Sequence, residues 1–312
     1  MSSCSVVIRA YNEAAHIGRL LEGFSRQTLH NPEVILVDSG STDSTAAQAV
    51  TAGAKVVHIP PEEFTFGRSL NLGLAAATCE LAVIASAHVY PVYPDWLERL
   101  LEPFSDPHVA LTYGKQRAPA TAYFSEQQVY RRWYPEYSEL RQTNPFCNNA
   151  NAAIRLSAWK VHPYDETLTG LEDLAWAEWA LDAGLSIAYV AEAEIFHIHN
   201  ETRLGVYNRY LREAMAFKRI YPEAHFSLYD FARMTSANIA SDLWHAIKQK
   251  PILKNALNIF WYRAAQFWGT YLGYRRSLAW NWDLRQTFYY PHGMDMPDRP
   301  TPRKVDPIYY KE

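Results

Sequence analysis

The chain has 312 residues, 48% of them hydrophobic, and a formal net charge of −3 at neutral pH. This length and composition allow a sizeable buried core, either in one large domain or in a catalytic domain with an extension. The charge gives no electrostatic reason to expect a nucleic acid as partner, so any phosphate must bind at a local site.

Cysteine usage and hydropathy indicate a cytoplasmic protein. Cys4, Cys79 and Cys147 are odd in number and form no CxxC pair, so neither a disulfide framework nor a zinc knuckle is expected. The N-terminus lacks the basic start and long apolar core of a signal peptide. No window approaches the ~20 apolar residues of a transmembrane helix. A peripheral position at the inner face of the membrane stays open.

The first 115 residues alternate short β-branched runs with helical patterns. The predicted strands are residues 5–9, 33–38, 55–59, 81–85 and 109–113. The predicted helices are residues 13–27, 42–52, 67–78 and 95–104. Strands that alternate with helices predict an α/β fold with parallel pairing and right-handed crossovers. Ligands of such sheets bind beyond the carboxyl ends of the strands.

The second half is less regular. Residues 122–141 are helical, aromatic and charged, without a clear place in the fold. Further strands are predicted at 146–154 and 186–190, and further helices at 171–183 and 206–220. We expect a catalytic domain at 1–220, divided near residue 115 into a nucleotide-binding half and an acceptor half. A helical extension at 221–290 and a loose proline-rich tail at 291–312 follow it.

Two motifs follow the first two strands and carry a family resemblance. The sequence VVIRAYNE (residues 6–13) resembles the opening motif of family 2 glycosyltransferases, and VDSGSTD (37–43) resembles their second motif. With Leu171-Glu172-Asp173 and the later histidines, the resemblance covers roughly residues 4–220. It implies the GT-A fold, a Rossmann-like and mostly parallel sheet flanked by helices that binds a nucleotide-sugar donor.

The strand ends have side chains suited to a nucleoside. A tyrosine ring can stack on a nucleobase, which is worth ~1–3 kcal/mol, and a carboxylate can accept a hydrogen bond from a pyrimidine imide. By the resemblance, four residues hold the nucleoside of a UDP- or dTDP-sugar: Ala10 through its backbone, Tyr11, Glu13 and Asp38. The alternative is that Asp38 is a turn residue, and that Asn12 and Asp43 only cap helices.

Arg68 and Asn71 lie three residues apart on one face of the third predicted helix. The resemblance places this segment near the donor diphosphate. An arginine suits that place because its planar fork binds phosphate oxygens in pairs. The alternative is a solvated surface arginine.

A histidine replaces part of the motif that normally binds metal in this family. Family 2 enzymes carry Asp-x-Asp after the fourth strand, whereas this chain has Ser86-Ala87-His88. Imidazole suits Mn²⁺ and other transition metals better than Mg²⁺. His197 and His199 share one face of an extended segment, so either or both could complete a site for Mn²⁺ or Mg²⁺ with His88 and the donor phosphate. The alternative is a metal-independent enzyme whose imidazoles contact phosphate or acceptor directly.

The sequence TGLED (residues 169–173) resembles the acidic motif that supplies the family's general base. Inverting transfer needs a carboxylate on the face opposite the leaving group, and Asp173 is our first choice, with Glu172 beside it. The alternative is structural, because Thr169 and Glu172 have the spacing of a capping box. Both interpretations can hold together.

Three asparagines stand in the predicted strand 146–154, where amides fit poorly. In relatives this stretch lies under the donor sugar and acceptor, so Asn149 and Asn151 are expected to bind sugar hydroxyls. The alternative is an asparagine-rich turn.

Residues 248–276 interleave aromatic and basic side chains. They are Trp261, Tyr262, Phe267, Trp268 and Tyr271 among Lys250, Lys254, Arg263, Arg275 and Arg276. This pattern suits a membrane interface, and lipid-linked acceptors are common in the family. The alternative is a helical appendage packed on the catalytic core or on a second subunit, which leaves a homo-oligomer open.

Together these patterns predict inverting transfer of a sugar from a nucleoside diphosphate to the hydroxyl of a saccharide or lipid-linked acceptor, in surface polysaccharide or glycolipid assembly. The sequence of residues 37–43 resembles that of many rhamnosyltransferases. One rival is a sugar-phosphate nucleotidyltransferase, although residues 10–17 contain no glycine-rich loop. Another is a non-catalytic nucleotide-sugar-binding module. The prediction requires Tyr11, Asp38, His88 and Asp173 to converge on one cleft.

Overall fold

The computed structural model describes residues 4–199, 202–249, 252–275 and 305–310. In these ranges one sheet contains nine strands. The strands are β1 (Ser5–Ala10), β2 (Glu33–Asp38), β3 (Lys55–His58), β4 (Leu81–Ser86), β5 (Val89–Pro91), β6 (Val109–Arg117), β7 (Glu139–Gln142), β8 (Asn151–Arg155) and β9 (Ser186–His197). Their spatial order is β3-β2-β1-β4-β8-β6-β9-β5, with β7 paired to β9.

Strand directions bring the functional motifs to one rim of the sheet. β1 to β4 are parallel, and β6 is parallel to β9. β8 is antiparallel to both β4 and β6, so its first residue lies beside the carboxyl end of β4, with Ala85 opposite Asn151. The carboxyl ends of β1, β2, β4, β6 and β9 therefore face the same way, which is where ligands bind in such sheets.

Helices cover both faces of the sheet. They are α1 (Ile17–Ser25), α2 (Thr45–Thr51), α3 (Phe66–Ala75), α4 (Trp96–Leu101), α5 (Phe124–Trp133), α6 (Leu156–Val161), α7 (Glu172–Asp182), α8 (Arg203–Ile220), α9 (Leu228–Gln249) and α10 (Ile252–Arg275). None of these described helices is long and apolar enough to span a bilayer.

The β-strand period divides the core into two layers. Val7 of β1 packs in the layer that contains α3, whereas Val6 and Ile8 pack in the layer that contains α1. Such alternation follows from side chains that point to opposite faces of a strand. Gly73 lets α3 approach β1 closely, because a Cβ at this position would lie 2.3 Å from a methyl carbon of Val7.

Several predicted boundaries are corrected by the structure. The first helix begins at Ile17 instead of residue 13. The predicted strand 146–154 is a strand only from Asn151, and the residues before it form a loop and turn. The predicted strand 186–190 is the first part of one long strand, β9, which continues to His197. The ambiguous stretch 122–141 contains α5 and the start of β7.

The aromatic residues of 248–276 are mostly core. Tyr262, Phe267 and Tyr271 are buried, and Phe267 packs with Leu174 of α7 and Phe217 of α8. The prediction that these rings form a membrane face is therefore wrong for all three, because α10 turns them towards α8 and the catalytic core. Lys250 and Arg276 lie outside the described residues, as does the side chain of Lys254.

A buried ion pair fastens the last two helices to the rest of the chain. The guanidinium of Arg263 donates to both carboxylate oxygens of Asp242, at 2.7 and 2.9 Å, and to the backbone carbonyl of Ser125 in α5 at 3.3 Å. Arg263 and Asp242 are only 2% and 1% exposed. The expected role of Arg263 at lipid headgroups is wrong, since its charge is neutralised inside the protein.

The end of the chain returns to the edge strand β5. Ile308 donates a backbone hydrogen bond to Val92 at 2.9 Å, and the Tyr310 hydroxyl donates to the Pro91 carbonyl at 2.6 Å. The prediction of a loose tail is therefore wrong for residues 305–310. The remainder of the predicted tail, 291–304 and 311–312, lies outside the described residues.

Candidate active site

A cavity of about 460 Å³ opens at the rim where the strands end. Its walls come from β1, β4, β9, the loop before β8, and the helices α5, α7 and α8. Eight of the residues expected in the site line it: Glu13, Ser86, His88, Asn149, Glu172, Asp173, His197 and His199. Segments far apart in the sequence thus share one space because parallel strands end at one rim.

Three histidines converge at one end of this cavity. His88 follows β4, His197 ends β9, and His199 lies two residues further on. One ring nitrogen from each lies within 4.8 Å of the other two. The ring centroids of His197 and His199 are 4.1 Å apart, and those of His88 and His197 are 5.1 Å apart.

Each of the three imidazoles is held through Nδ1 by an acceptor. The carboxylate of Glu13 accepts from His88 at 2.7 Å, and that of Glu126 accepts from His199 at 2.8 Å. The side-chain oxygen of Gln116 accepts from His197 at 2.7 Å. Because these acceptors require a proton on Nδ1, the Nε2 atom of each ring in its neutral form has a lone pair that can bind a metal.

The residues present fit a divalent metal ion. His197 is 6% exposed, and its Nε2 lacks a hydrogen-bond partner among the described residues. Burial, with the neighbouring His199 and His88, holds the pKa of His197 well below its usual value. Burial also lowers the pKa of His199. Both rings are therefore neutral at physiological pH, which is the form that binds a metal.

Two buried carboxyls begin α7 on another wall of the cavity. Asp173 is 8% exposed and Glu172 is 4% exposed. Burial, followed by the adjacent charge of Glu172, raises the pKa of Asp173 to about 7. The backbone amide of Asn149 donates to Asp173 at 3.1 Å, and Arg9 donates to Glu172 at 3.2 Å. A carboxyl with this pKa can exchange protons at neutral pH.

Leu171, directly before these two acids, has a strained backbone conformation. Leu171 has φ of 57° in the left-handed region, and no side chain caps the helix there. The capping-box interpretation of Thr169 and Glu172 is therefore wrong. A non-glycine residue in this conformation costs roughly 1–3 kcal/mol, and such strain is concentrated at functional sites.

Of the four residues expected at the nucleoside, only Glu13 lines the cavity. The predicted convergence on one cleft therefore holds for His88 and Asp173, whereas Tyr11 and Asp38 lie outside the lining. Ala10 is paired with Asp38 across β1 and β2, and Tyr11 follows Ala10 with 57% of its side chain exposed. Asp38 is buried, and its carboxylate accepts from the amide of Ser41 at 3.2 Å. The carboxylate of Glu13 instead holds His88, so Glu13 belongs to the histidine cluster.

The helix-cap alternative is wrong for Asn12 and is supported for Asp43. Asn12 has φ of 55°, and its side-chain oxygen accepts from the backbone of Thr42 at 2.8 Å, linking the first two motifs. Asp43 lies just before Ser44, and one of its oxygens accepts from the amide of Thr45, the first residue of α2, at 2.9 Å. Its other oxygen accepts from the amide of Ala14 at 3.0 Å.

Two asparagines expected to bind the donor have structural partners instead. The Asn71 amide makes four hydrogen bonds, to Trp159, to Glu166 and twice to the backbone of Tyr164. Asn151 is fully buried and bonded to Trp96 and to two backbone carbonyls. Neither amide has a donor left for a ligand, so we remove both from the site.

Arg68 forms ion pairs with Glu63 and Glu166 and lies outside the cavity lining. Its guanidinium is therefore already paired with two carboxylates, and the structure gives it no direct place at a ligand in the cavity. Its role at the diphosphate stays a prediction.

Sequence reasoning missed several residues of the cavity wall. These are Arg9, Phe66, Gln116, Glu126, Arg209 and Arg212. Gln116 stands near the carboxyl end of β6, so the strand-end rule that selected Tyr11 and Asp38 could have found it. Four of the others belong to helices whose position relative to the sheet cannot be predicted from the sequence. The fifth, Arg9, was predicted only as part of a strand.

Comparisons with known proteins agree with this architecture. The sequence profile described as "Glycosyl transferase family 2" matches residues 5–161. The chain is 29% identical over 224 residues to the O-antigen chain rhamnosyltransferase WbaN of Salmonella anatum, covering 67% of this chain and 70% of that protein. It is 26% identical over 220 residues to RfbN of Salmonella typhimurium, another O-antigen chain rhamnosyltransferase, covering 66% and 69%.

Solved structures show the same fold. The mannosyltransferase PcManGT of Pyrobaculum calidifontis, in complex with GDP-Man and Mn²⁺, superposes with a TM-score of 0.59 at 18% identity, covering 87% of this chain and 84% of that one. Glucosyl-3-phosphoglycerate synthase of Mycobacterium tuberculosis, in complex with Mn²⁺, UDP and glucosyl-3-phosphoglycerate, superposes with a TM-score of 0.52 at 23% identity, covering 70% of this chain and 79% of that one. The sheet flanked by helices is therefore the GT-A fold.

Proposed function

Because this chain belongs to glycosyl transferase family 2, we propose that its cavity catalyses inverting transfer of a sugar from a nucleoside diphosphate to an acceptor hydroxyl. The observation that carries the proposal is that Asp173 and the three histidines line the same cavity. One enclosed space therefore contains a base for the acceptor hydroxyl and a histidine cluster that can hold a metal ion beside the leaving diphosphate.

Asp173 acts as the general base. Its carboxylate accepts the proton of the acceptor hydroxyl while the hydroxyl oxygen forms a bond to the anomeric carbon. The bond between that carbon and the donor phosphate oxygen breaks on the opposite face, and the nucleoside diphosphate leaves. A base with a pKa of about 7 is strong enough to take the proton and is still ionised in part at neutral pH.

Glu172 and Asn149 position this base. Asn149 donates its amide to one oxygen of Asp173, and the amide of Leu174 donates to the other at 2.9 Å. Glu172 raises the pKa of Asp173 by its charge and is itself held by Arg9. Fixed geometry of this kind keeps the base in reach of one hydroxyl.

The nucleoside binds at the ends of β1 and β2. The exposed ring of Tyr11 is free to stack on a base. Asp38 lies one strand away with a carboxylate oriented by Ser41. A carboxylate accepts from the imide of uracil or thymine, which favours UDP- or dTDP-sugars.

His88, His197 and His199 would hold a divalent transition metal. When bound, such an ion neutralises the charge that develops on the leaving diphosphate. Three nitrogen ligands favour Mn²⁺, Co²⁺ or Zn²⁺ over Mg²⁺, which prefers oxygen. The two superposed enzymes described above contain Mn²⁺, which supports Mn²⁺ as the first ion to test.

We propose rhamnose as the transferred sugar and dTDP-rhamnose as the donor. Two relatives are named as O-antigen chain rhamnosyltransferases, and each is aligned over about two thirds of this chain. The acceptor is then a saccharide of a surface polysaccharide, carried on a lipid or free.

The α9–α10 hairpin is the part of the chain that we propose contacts a membrane. Trp244 and Ile247 in the last turns of α9 are 62% and 55% exposed, and Leu257 and Phe260 near the start of α10 are 77% and 49% exposed. Exposed aromatic and aliphatic side chains of this kind suit a lipid interface.

Vesicle flotation tests this surface. Trp244→Ser with Phe260→Ser should lower binding to phosphatidylglycerol vesicles, whereas Tyr229→Ser, an exposed residue at the opposite end of α9, should not. Equal flotation of all three proteins would contradict the membrane contact, and a dimer that dissociates in the double variant would assign the surface to a second copy.

A donor screen followed by one substitution tests the catalytic proposal. UDP-, dTDP- and GDP-sugars are incubated with the protein, Mn²⁺ and saccharide acceptors, and release of nucleoside diphosphate is measured. Asp173→Asn should reduce transfer by about 10²–10⁴-fold while nucleotide affinity stays close to wild type. Asp182→Asn, at the far end of the same helix, is the matched control. Near-normal turnover by Asp173→Asn would exclude Asp173 as the base.

A further inference from the structure

Two arginines flank one aromatic ring in the cavity wall. The guanidinium carbon of Arg9 lies 5.1 Å from the centroid of the Phe66 ring, and that of Arg212 lies 4.8 Å from it. All three residues line the cavity. A cation over a ring is attracted by the ring quadrupole. Both guanidinium groups therefore contact the same ring, although they belong to β1 and α8.

Most of the hydrogen-bonding capacity of these two groups is unused. Arg9 has one ion-pair contact, with Glu172 at 3.2 Å, whereas a guanidinium has five N–H donors. Arg212 has no carboxylate within 4.0 Å in the part of the chain that the structure describes. Like charges held together without a full set of partners indicate a place for an anion.

Other acids of the cavity are already engaged elsewhere. Glu13 accepts from His88, and Glu126 accepts from His199. These two carboxylates are engaged at the histidine cluster. Glu172 offsets the charge of Arg9, whereas no ion pair with a carboxylate offsets the charge of Arg212 in the part of the chain that the structure describes.

We infer that Arg9 and Arg212, held on Phe66, form an anion subsite that binds a phosphate group of a ligand in this cavity. Guanidinium forks bind phosphate oxygens in pairs. The inference deepens the proposed function, because the phosphate comes either from the donor diphosphate or from a phosphorylated acceptor. Both sources share the same chemistry at the subsite.

Binding of inorganic anions tests the subsite without any sugar. Arg212→Gln removes one fork from an exposed position, so the fold should be retained. Arg203→Gln is the matched control, since Arg203 is exposed on the same helix, rests on Trp261 and does not line the cavity. Calorimetry measures inorganic pyrophosphate binding to the Mn²⁺-loaded protein, then inorganic phosphate binding to protein saturated with dTDP or UDP.

The two sources give different results. If the subsite takes the donor diphosphate, Arg212→Gln weakens pyrophosphate binding about tenfold or more, and Arg203→Gln leaves it unchanged. If it takes an acceptor phosphate, pyrophosphate binding is unchanged and phosphate binding to the nucleotide-saturated protein is lost. Arg212→Lys keeps the charge but lacks the planar guanidinium. This variant should lose less affinity than Arg212→Gln for the same anion.

Wild-type affinity of Arg212→Gln for both anions would overturn the inference, as would failure of the wild-type protein to bind either. Thymidine and uridine binding provides an independent readout. If neither nucleoside binds, the proposed donor site fails, while the anion measurements still decide the arginine subsite.

Discussion

Replacement of Gln116 by leucine tests whether the histidine cluster is built to hold a metal. Gln116 is 2% exposed, and its amide links His197 at 2.7 Å to Asn148 at 2.8 Å. Leucine has a similar size but accepts no hydrogen bond. The variant thus leaves a buried Nδ1–H of His197 without a partner and frees the ring to rotate or to change tautomer.

The size of the effect follows from the lost contact. Loss of an acceptor that orients a metal-binding histidine weakens metal affinity by about 10–100-fold, which corresponds to about 1.4–2.7 kcal/mol. An unpaired buried donor costs about 1–3 kcal/mol, so the two estimates agree. Gln116→Glu keeps an acceptor at the same position and should bind metal close to wild type or more tightly.

Calorimetric titration of Mn²⁺, Co²⁺ and Zn²⁺ into metal-free protein measures this directly, and Co²⁺ absorption reports the ligand set. Thermal melting of the metal-free variants separates a local effect from unfolding. If Gln116→Leu folds and binds Co²⁺ with the wild-type Kd and spectrum, Gln116 does not orient a ligand. The proposed role of His197 in the metal centre would then be wrong as well.

Four further outcomes are expected. The rate of transfer should rise with pH through about 7 as Asp173 loses its proton, whereas the residual rate of Asp173→Asn should lack this step; a wild-type rate flat from pH 5.5 to 8.5 would contradict the assignment. Because the folded-state pKa of Asp173 lies above its ordinary 3.8, stability should fall as pH rises from about 4 to 7, and urea midpoints of Asp173→Asn should fall less. Tyr11→Ala should weaken nucleotide binding by ~1–3 kcal/mol and leave pyrophosphate binding unchanged, as calorimetry would show. Arg263→Leu should lower the free energy of unfolding by about 3–5 kcal/mol by leaving Asp242 buried and unpaired, and Arg263→Leu with Asp242→Leu should recover most of it in urea titrations.

The sequence alone determined the features that depend on neighbouring residues. Alternating strand and helix patterns predicted the parallel half of the sheet, and β1 to β4 have nearly the predicted bounds. Motifs at strand ends pointed to the rim that contains the cavity. The family resemblance placed Asp173 at the start of a helix and selected the histidines. These inferences succeed because strand and helix periods are local, and because a parallel sheet brings its carboxyl ends to one side.

Only the tertiary structure decided what each polar side chain touches. Asn71 and Asn151 looked like ligand-binding amides, yet both satisfy buried backbone and tryptophan groups. Arg263 looked like a lipid-facing cation and is neutralised inside the protein. The sequence shows that a side chain is polar or aromatic, but the partner that it contacts belongs to an element far away in the chain. The same reason hid Gln116 and Arg212, whose positions become meaningful only when β6 and α8 are packed beside the histidines and Phe66.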